Sequence, residues 1–291
     1  MKIADLHQDI LISGEDIKEV FQNLYRVGYR LVVAVVFPVS GNRVWEFDDI
    51  LEGVKKYKAA MDKNTNLLTN WFDLNENSLN IIIGLEGGYL NDLKYYERLY
   101  KEGVRLFGLT WNIPSKLSGS CENGEGLTSL GVEFLHWAKE KGVLVDLAHA
   151  SYNAILQTVE LYKGSIYSHG GILKNPKNMR NLNYEIAKAI YDNGGVLGLG
   201  YGHLFFEKRV DIYEIADTII NLSEVFKGGI VSGSDFYGLG KSNIVSCLEY
   251  PKQIKNLAKL LPEETLKSYF WENFSNFLRN FGKTSSIKAG P

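Results

Sequence analysis

Cysteine and proline are scarce in this 291-residue chain, which has two of the first and six of the second. Cys121 and Cys247 stand too far apart in sequence to suggest a disulfide framework, and they fit a reducing compartment in which both thiols stay free. Few prolines and an ordinary charged fraction of 23% argue against long disordered or fibrous segments. Neither sign of charge is in excess. Lys and Arg number 32 against 34 Asp and Glu, and no basic stripe is present to release counterions from a phosphate backbone, so nucleic acid is not expected as a partner. Long apolar runs are also missing. The longest, residues 31–39 (LVVAVVFPV), is strand-sized and far short of the ~20 residues a membrane-spanning helix needs. Residues 1–9 place acidic side chains where a secretory leader would need a basic and then an apolar stretch, so a cytoplasmic protein is expected, with no membrane partner.

What the chain does have is repetition. Apolar, β-rich runs bounded by Gly or Asp occur at residues 2–9, 31–39, 80–87, 106–112, 142–150, 165–170, 195–202 and 229–236. Between them, residues 15–27, 44–62, 92–102, 130–141, 152–162, 184–193 and 211–226 carry apolar side chains at helical spacing. Strands alternating with helices, with no break in composition, predict an α/β fold: a (β/α)8 TIM barrel forming one domain over residues 1–282. An open doubly wound sheet is the alternative, but no G-x-G-x-x-G follows the first strand. Residues 251–281, with Pro262 ahead of Glu263 and Glu264, predict one or two extra C-terminal helices, and residues 283–291 a frayed tail.

In such a barrel, chemistry sits at the C-terminal ends of the strands, so polar residues there are informative. Period-2 alternation turns Asp5, His7 and Asp9 to one side of the first strand. Glu86 closes the third strand, His149 the fifth, His169 the sixth and Asp235 the eighth. Imidazoles and carboxylates in one pocket suit two divalent ions, zinc foremost, with manganese or iron as alternatives. His7 and Asp9 would hold one ion, His149 and His169 the other, and Glu86 would bridge them. Taken singly, each histidine has an ordinary reading as a hydrogen-bonded core or loop residue, and it is the set that argues for metal. Asp235 is the candidate for proton transfer, the alternatives being a further ligand or a helix cap. Asp5, one pleat deeper, is expected to orient a ligand. Arg180 could fork a substrate carboxylate or form an exposed ion pair, and Tyr201 could line the pocket. His203 reads as a surface-loop residue and His136 as a helical one.

The motifs ADLHQD, GLEGG, GVRLFGLTWN, GVLVDLAHAS, IYSHGG followed by RNL, GSDFYG and WENF together resemble those of the membrane (renal) dipeptidase family, metal-dependent barrels of the amidohydrolase superfamily, over nearly the whole chain. The resemblance implies a binuclear zinc dipeptidase in which a hydroxide bridging the two ions attacks the peptide bond. It implies the same ligand set, with Asp235 as acid and base and with Arg180 and Tyr201 on the substrate carboxylate. A homodimer is a family-level expectation. One position departs: where mammalian-type members have a substrate-binding His after Leu-Thr, this chain has Trp111 and Asn112. An indole N–H donates one hydrogen bond and cannot shuttle protons, so Trp111 is expected against the substrate with Asn112 as a second donor. Two alternatives stay open: action on another amide, a lactone or an ester, and a metal-binding barrel without turnover.

Overall fold

Six consecutive residues of one strand, Leu31 to Val36, are each at most 1% exposed. Such a run needs apolar cover on both faces, which is the condition of a parallel strand between a barrel interior and a helical shell. The computed structural model describes residues 1–40, 43–240 and 242–286, and it provides that cover. Strands β1 (Ile3–Gln8), β2 (Tyr29–Val36), β3 (Leu79–Leu85), β4 (Val104–Gly108), β5 (Leu144–Asp146), β6 (Ile166–Tyr167), β7 (Val196–Leu199) and β8 (Ile230–Ser232) lie side by side in chain order. Closure comes just beyond β8, where the Asp9 N–H donates to Phe236 O at 3.0 Å and the Asp235 N–H donates to His7 O at 3.2 Å. These bonds bring the first and last strand ends, both rich in carboxylates, into one rim.

Helices α1 (Ile17–Val27), α2 (Phe47–Ala59), α3 (Leu93–Lys101), α4 (Ser129–Lys141), α5 (Tyr152–Leu161), α6 (Tyr184–Asp192) and α7 (Ile212–Val225) alternate with the strands. Their ends lie within three residues of the predicted segments, where caps set them. The Asp16 carboxylate accepts the Glu19 N–H at 2.9 Å to start α1, and Gly28 ends it in the left-handed region at φ 119°. At α2 the first predicted residue, Val44, instead belongs to a small antiparallel pair, Val39–Ser40 with Arg43–Val44.

Two features depart further from expectation. A short polar strand, Thr65–Leu67, adds to the outer edge of β3 in parallel, with too little apolar character to have been read as a strand. The C-terminal region comprises α8 (Ile254–Ala258), α9 (Glu263–Lys267), a π turn over Ser268–Glu272 and α10 (Asn273–Ser286). The predicted fraying from residue 283 is therefore corrected as far as Ser286, and residues 287–291 lie outside the described residues. The helix is anchored just upstream by Phe281, whose ring meets Trp71 edge to face at 6.0 Å, and by the Arg279 ion pair with Glu76 at 2.6 Å. No described helix is long and apolar enough to cross a membrane. Both cysteines are free thiols.

Candidate metal centre

Five side chains from four strand ends converge at the rim: His7 and Asp9 from β1, Glu86 from β3, His149 from β5 and His169 from β6. All five are buried. Glu86 lies between the histidines, with Oε1 3.1 Å from His149 Nε2 and 3.8 Å from His169 Nε2, and Oε2 3.7 Å from His7 Nε2. Asp9 Oδ2 is 3.4 Å from His7 Nε2, and the Nε2 atoms of His149 and His169 are 3.2 Å apart. Two ligand-atom clusters result, one of His7, Asp9 and Glu86 and one of Glu86, His149 and His169, each with its atoms within 4.8 Å of one another. Asp235 Oδ1, 4.0 Å from His7 Nε2, joins a third with His7 and His169.

The donor set fits divalent cations on a second count. Among the described residues, His7 Nε2 and Asp9 Oδ1 are buried with no hydrogen-bond partner, an arrangement that costs about 1–3 kcal/mol per group unless something satisfies it. Electrostatics agree. Burial pulls the His7 imidazole down, but Glu86, Asp9 and Asp235 outweigh it and hold its pKa at about 10. Burial pushes Glu86 well above the usual carboxylate range against the pull of His7, and pushes Asp235 up to about 7. Burial, together with the neighbouring cations Arg180 and His7, holds His149 and His169 well below the ordinary histidine range, so both are neutral, as ligands must be.

The backbone around these groups is specialised. His149 and Asp235 sit in the left-handed region at φ 66° and 60°, strained positions of the kind found at functional sites. Gly238 packs so closely on the carboxylates that a Cβ there would collide with Asp9 Oδ2 and Asp235 Oδ1. Asp5 does orient its surroundings, but not by holding a ligand's ring. Its Oδ1 accepts the Ser234 N–H at 2.9 Å and the His7 N–H at 3.4 Å.

The metal centre floors a cleft of about 970 Å³. Arg180 is buried on its wall, with no carboxylate in ion-pair range among the described residues, so the alternative of an exposed salt bridge is set aside. Its Nη1 donates to the Tyr167 hydroxyl at 2.9 Å, and its Nη2 donates to His169 O at 3.0 Å and approaches His149 Nε2 at 3.1 Å. Gly170 makes room for this contact, because a Cβ there would run into the Tyr167 hydroxyl and Arg180 Nη1. The Arg180 loop is tied down by Glu207, whose carboxylate accepts the N–H groups of Lys177 at 2.8 Å and Asn178 at 2.7 Å. Trp111 also lines the cleft, edge to face with Phe37 at 5.0 Å.

One expected substrate residue is placed differently. Tyr201 is fully buried away from the cleft, its hydroxyl 2.7 Å from Ser232 Oγ and 3.2 Å from the Tyr269 hydroxyl, because the C-terminal helices offer its ring a dry, hydrogen-bonded seat. Asn112 lines the cleft, with its Oδ1 on His149 Nδ1 at 2.7 Å and its Nδ2 group left as a donor. His203 Nδ1 accepts the Val210 N–H at 3.3 Å away from the cleft, and His136 is exposed on α4. Sequence reasoning passed over Ser168, Tyr167, Phe37 and Glu207. Ser168 had the clearest signal, being the residue before His169, and its Oγ lies 2.8 Å from His169 Nδ1.

Residues 5–289 match the family model described as membrane dipeptidase (peptidase family M19). An uncharacterized dipeptidase of Schizosaccharomyces pombe is 28% identical over 196 residues, 62% of this chain and 47% of that protein. Dipeptidase 3 of Rattus norvegicus is 28% identical over 228 residues, 71% of this chain and 45% of its own length. The chain thus spans about half the length of these curated relatives. Its fold is shared with a metallopeptidase from Rhodobacter sphaeroides solved with a phosphinate mimic of the dipeptide L-Ala-D-Ala, at a TM-score of 0.84 and 14% identity over 96% of this chain and 99% of that one. An amidohydrolase from Pseudomonas aeruginosa is equally similar, with a TM-score of 0.84 and 18% identity over 97% and 96%. Together with the strand-end ligand set, the match across the whole barrel shows that the chain belongs to the membrane dipeptidase family, peptidase family M19.

Proposed function

We propose that this chain is a dipeptidase that uses two divalent ions, zinc in our assignment, held by His7 and Asp9 on one side, His149 and His169 on the other, and Glu86 between. One observation carries the proposal: the two oxygens of Glu86 face different histidines, Oε1 toward His149 at 3.1 Å and Oε2 toward His7 at 3.7 Å. When bound, the ions supply an acidified water nucleophile and a Lewis acid for the scissile carbonyl. The protein does the rest. Arg180, buried without a carboxylate partner among the described residues, takes the substrate's terminal carboxylate as a fork. Asp235 lies beside the centre, its Oδ1 4.0 Å from His7 Nε2, placed to accept the proton of the water and return it to the departing amine. Trp111 and Phe37, packed on each other in the cleft wall, exclude water from the bound peptide.

The experiment is metal content per chain by elemental analysis, paired with hydrolysis of Leu-Leu and L-Ala-D-Ala before and after chelation. Two zinc per chain with chelator-sensitive cleavage supports the proposal. Two zinc without cleavage directs the search to other amides, lactones and esters, and no metal uptake at all overturns the ligand assignment.

A further inference from the structure

Of the three imidazoles at the centre, His149 alone has an acceptor-only atom facing its Nδ1. His169 Nδ1 faces the Ser168 hydroxyl at 2.8 Å, and His7 Nδ1 faces the same hydroxyl at 3.5 Å. A hydroxyl both donates and accepts, so it dictates neither tautomer. Asn112 Oδ1, 2.7 Å from His149 Nδ1, can only accept. The far side of the ring agrees independently. Arg180 Nη2, which can only donate, stands 3.1 Å from His149 Nε2, as close as Glu86 Oε1, so Nε2 has a donor for its lone pair whereas Nδ1 has only an acceptor, and the proton goes to Nδ1. A carboxamide turned the other way would set an N–H against an N–H.

We infer that Asn112 is a positioning residue for the second ion, holding His149 in the one tautomer whose Nε2 lone pair points at Glu86 and His169. The inference rests on the two-ion proposal and deepens it. Asn112 follows β4, whereas His149 follows β5, so the bond joins the loop bearing Trp111 to a ligand on the next strand. Trp111 lies alongside, its ring 6.0 Å from that of His149. With Oδ1 engaged, only the Nδ2 group of Asn112 is left to donate to a substrate oxygen. The same amide therefore touches both the ion's ligand and the cleft.

The test compares Asn112→Leu, which removes the acceptor at similar size, with Asn112→Asp, which keeps an oxygen on Nδ1. Zinc and cobalt titrations read both ions, and 15N chemical shifts of the His149 ring in chelated protein read the tautomer. For Asn112→Leu, the second ion should bind about 10- to 100-fold more weakly with the first unchanged, as for loss of other groups that orient metal-bound histidines. His149 should then lose its uniform Nδ1–H signature, and kcat should fall more than KM rises. Asn112→Asp should restore second-ion binding and the signature. Wild-type affinity for both ions in Asn112→Leu, or an unchanged tautomer in that variant, overturns the inference. Failure of the wild type to bind any ion would instead overturn the two-ion proposal, and the 15N comparison would still decide whether Asn112 sets the tautomer.

Discussion

Asp146 Oδ1 accepts the backbone N–H of Ser168 at 2.9 Å, stitching the end of β5 to the end of β6. The same oxygen accepts the Ala148 N–H at 3.0 Å, so one carboxylate fixes the backbone just before His149 and just before His169. Asp5 does the same between β1 and β8, accepting the Ser234 N–H at 2.9 Å, one residue before Asp235. Both aspartates are buried, and neither faces the cleft. Asp146→Ala leaves two buried N–H groups without this acceptor and should cost about 2–6 kcal/mol of stability at ~1–3 kcal/mol for each. Denaturant titration measures that loss. Elemental analysis at limiting zinc should show the second ion depleted first.

Loading the centre must displace protons, and the sign of the effect is fixed by the groups there. The Asp235 pKa is raised from 3.8 to about 7 and that of His7 from 6.5 to about 10. A group raised on folding adds stability below its unfolded value and loses that stability as pH climbs through the folded one. Chelated protein should therefore lose these contributions from about pH 4 to 7 for Asp235 and from about pH 6.5 to 10 for His7. Zinc takes the deprotonated forms, so its affinity should rise about tenfold per pH unit for each proton displaced. The difference in Tm between zinc-loaded and chelated protein, which cancels titrations elsewhere in the chain, should widen between pH 6 and pH 8. A constant difference would mean that the ions bind without displacing these protons.

Much of the centre was legible in the sequence because a barrel strand is almost wholly apolar, and a His, Asp or Glu closing such a run stands out. His7, Glu86, His149, His169 and Asp235 were all found that way, and the structure brings them together. What escaped depended on contacts between loops. Nothing local tells that Asn112, after one strand, meets His149 after the next, or that Tyr201 turns from the cleft to join Ser232 and Tyr269. The strand Thr65–Leu67 was missed because half-buried polar residues on a sheet edge have no apolar pattern to show. The last turn of α10 escaped because Lys283 and Thr284 are exposed and polar, while the side chain that anchors that end, Phe281, lies just upstream.

Asp235 separates proton transfer from ion binding. Its carboxylate is near enough to His7 and His169 to serve as a ligand, and from the same position it could take up and return a proton at the reacting centre. Asp235→Asn keeps shape and a coordinating oxygen but cannot carry the proton. Turnover should fall by about 10²- to 10⁴-fold, the usual worth of a positioned acid or base, with two ions still bound. Loss of an ion in this variant would make Asp235 a ligand instead.

Arg180 should act on substrate binding rather than on chemistry. Its guanidinium is held by Tyr167 and by His169 O, its loop by Glu207, and no protein carboxylate satisfies it among the described residues. A hydrogen bond to a charged group contributes about 1.5–3 kcal/mol, so Arg180→Met should raise KM for a dipeptide by about 10- to 150-fold with kcat little changed. Arg180→Lys should recover only part of this, since an ammonium lacks the planar fork. The decisive comparison uses a dipeptide with an amidated C-terminus. Wild-type enzyme should lose a similar factor on that substrate, and Arg180→Met should lose little more, because the charge pair is already broken. If instead the two losses multiply, the guanidinium and the carboxylate act independently, and the carboxylate is bound elsewhere in the cleft.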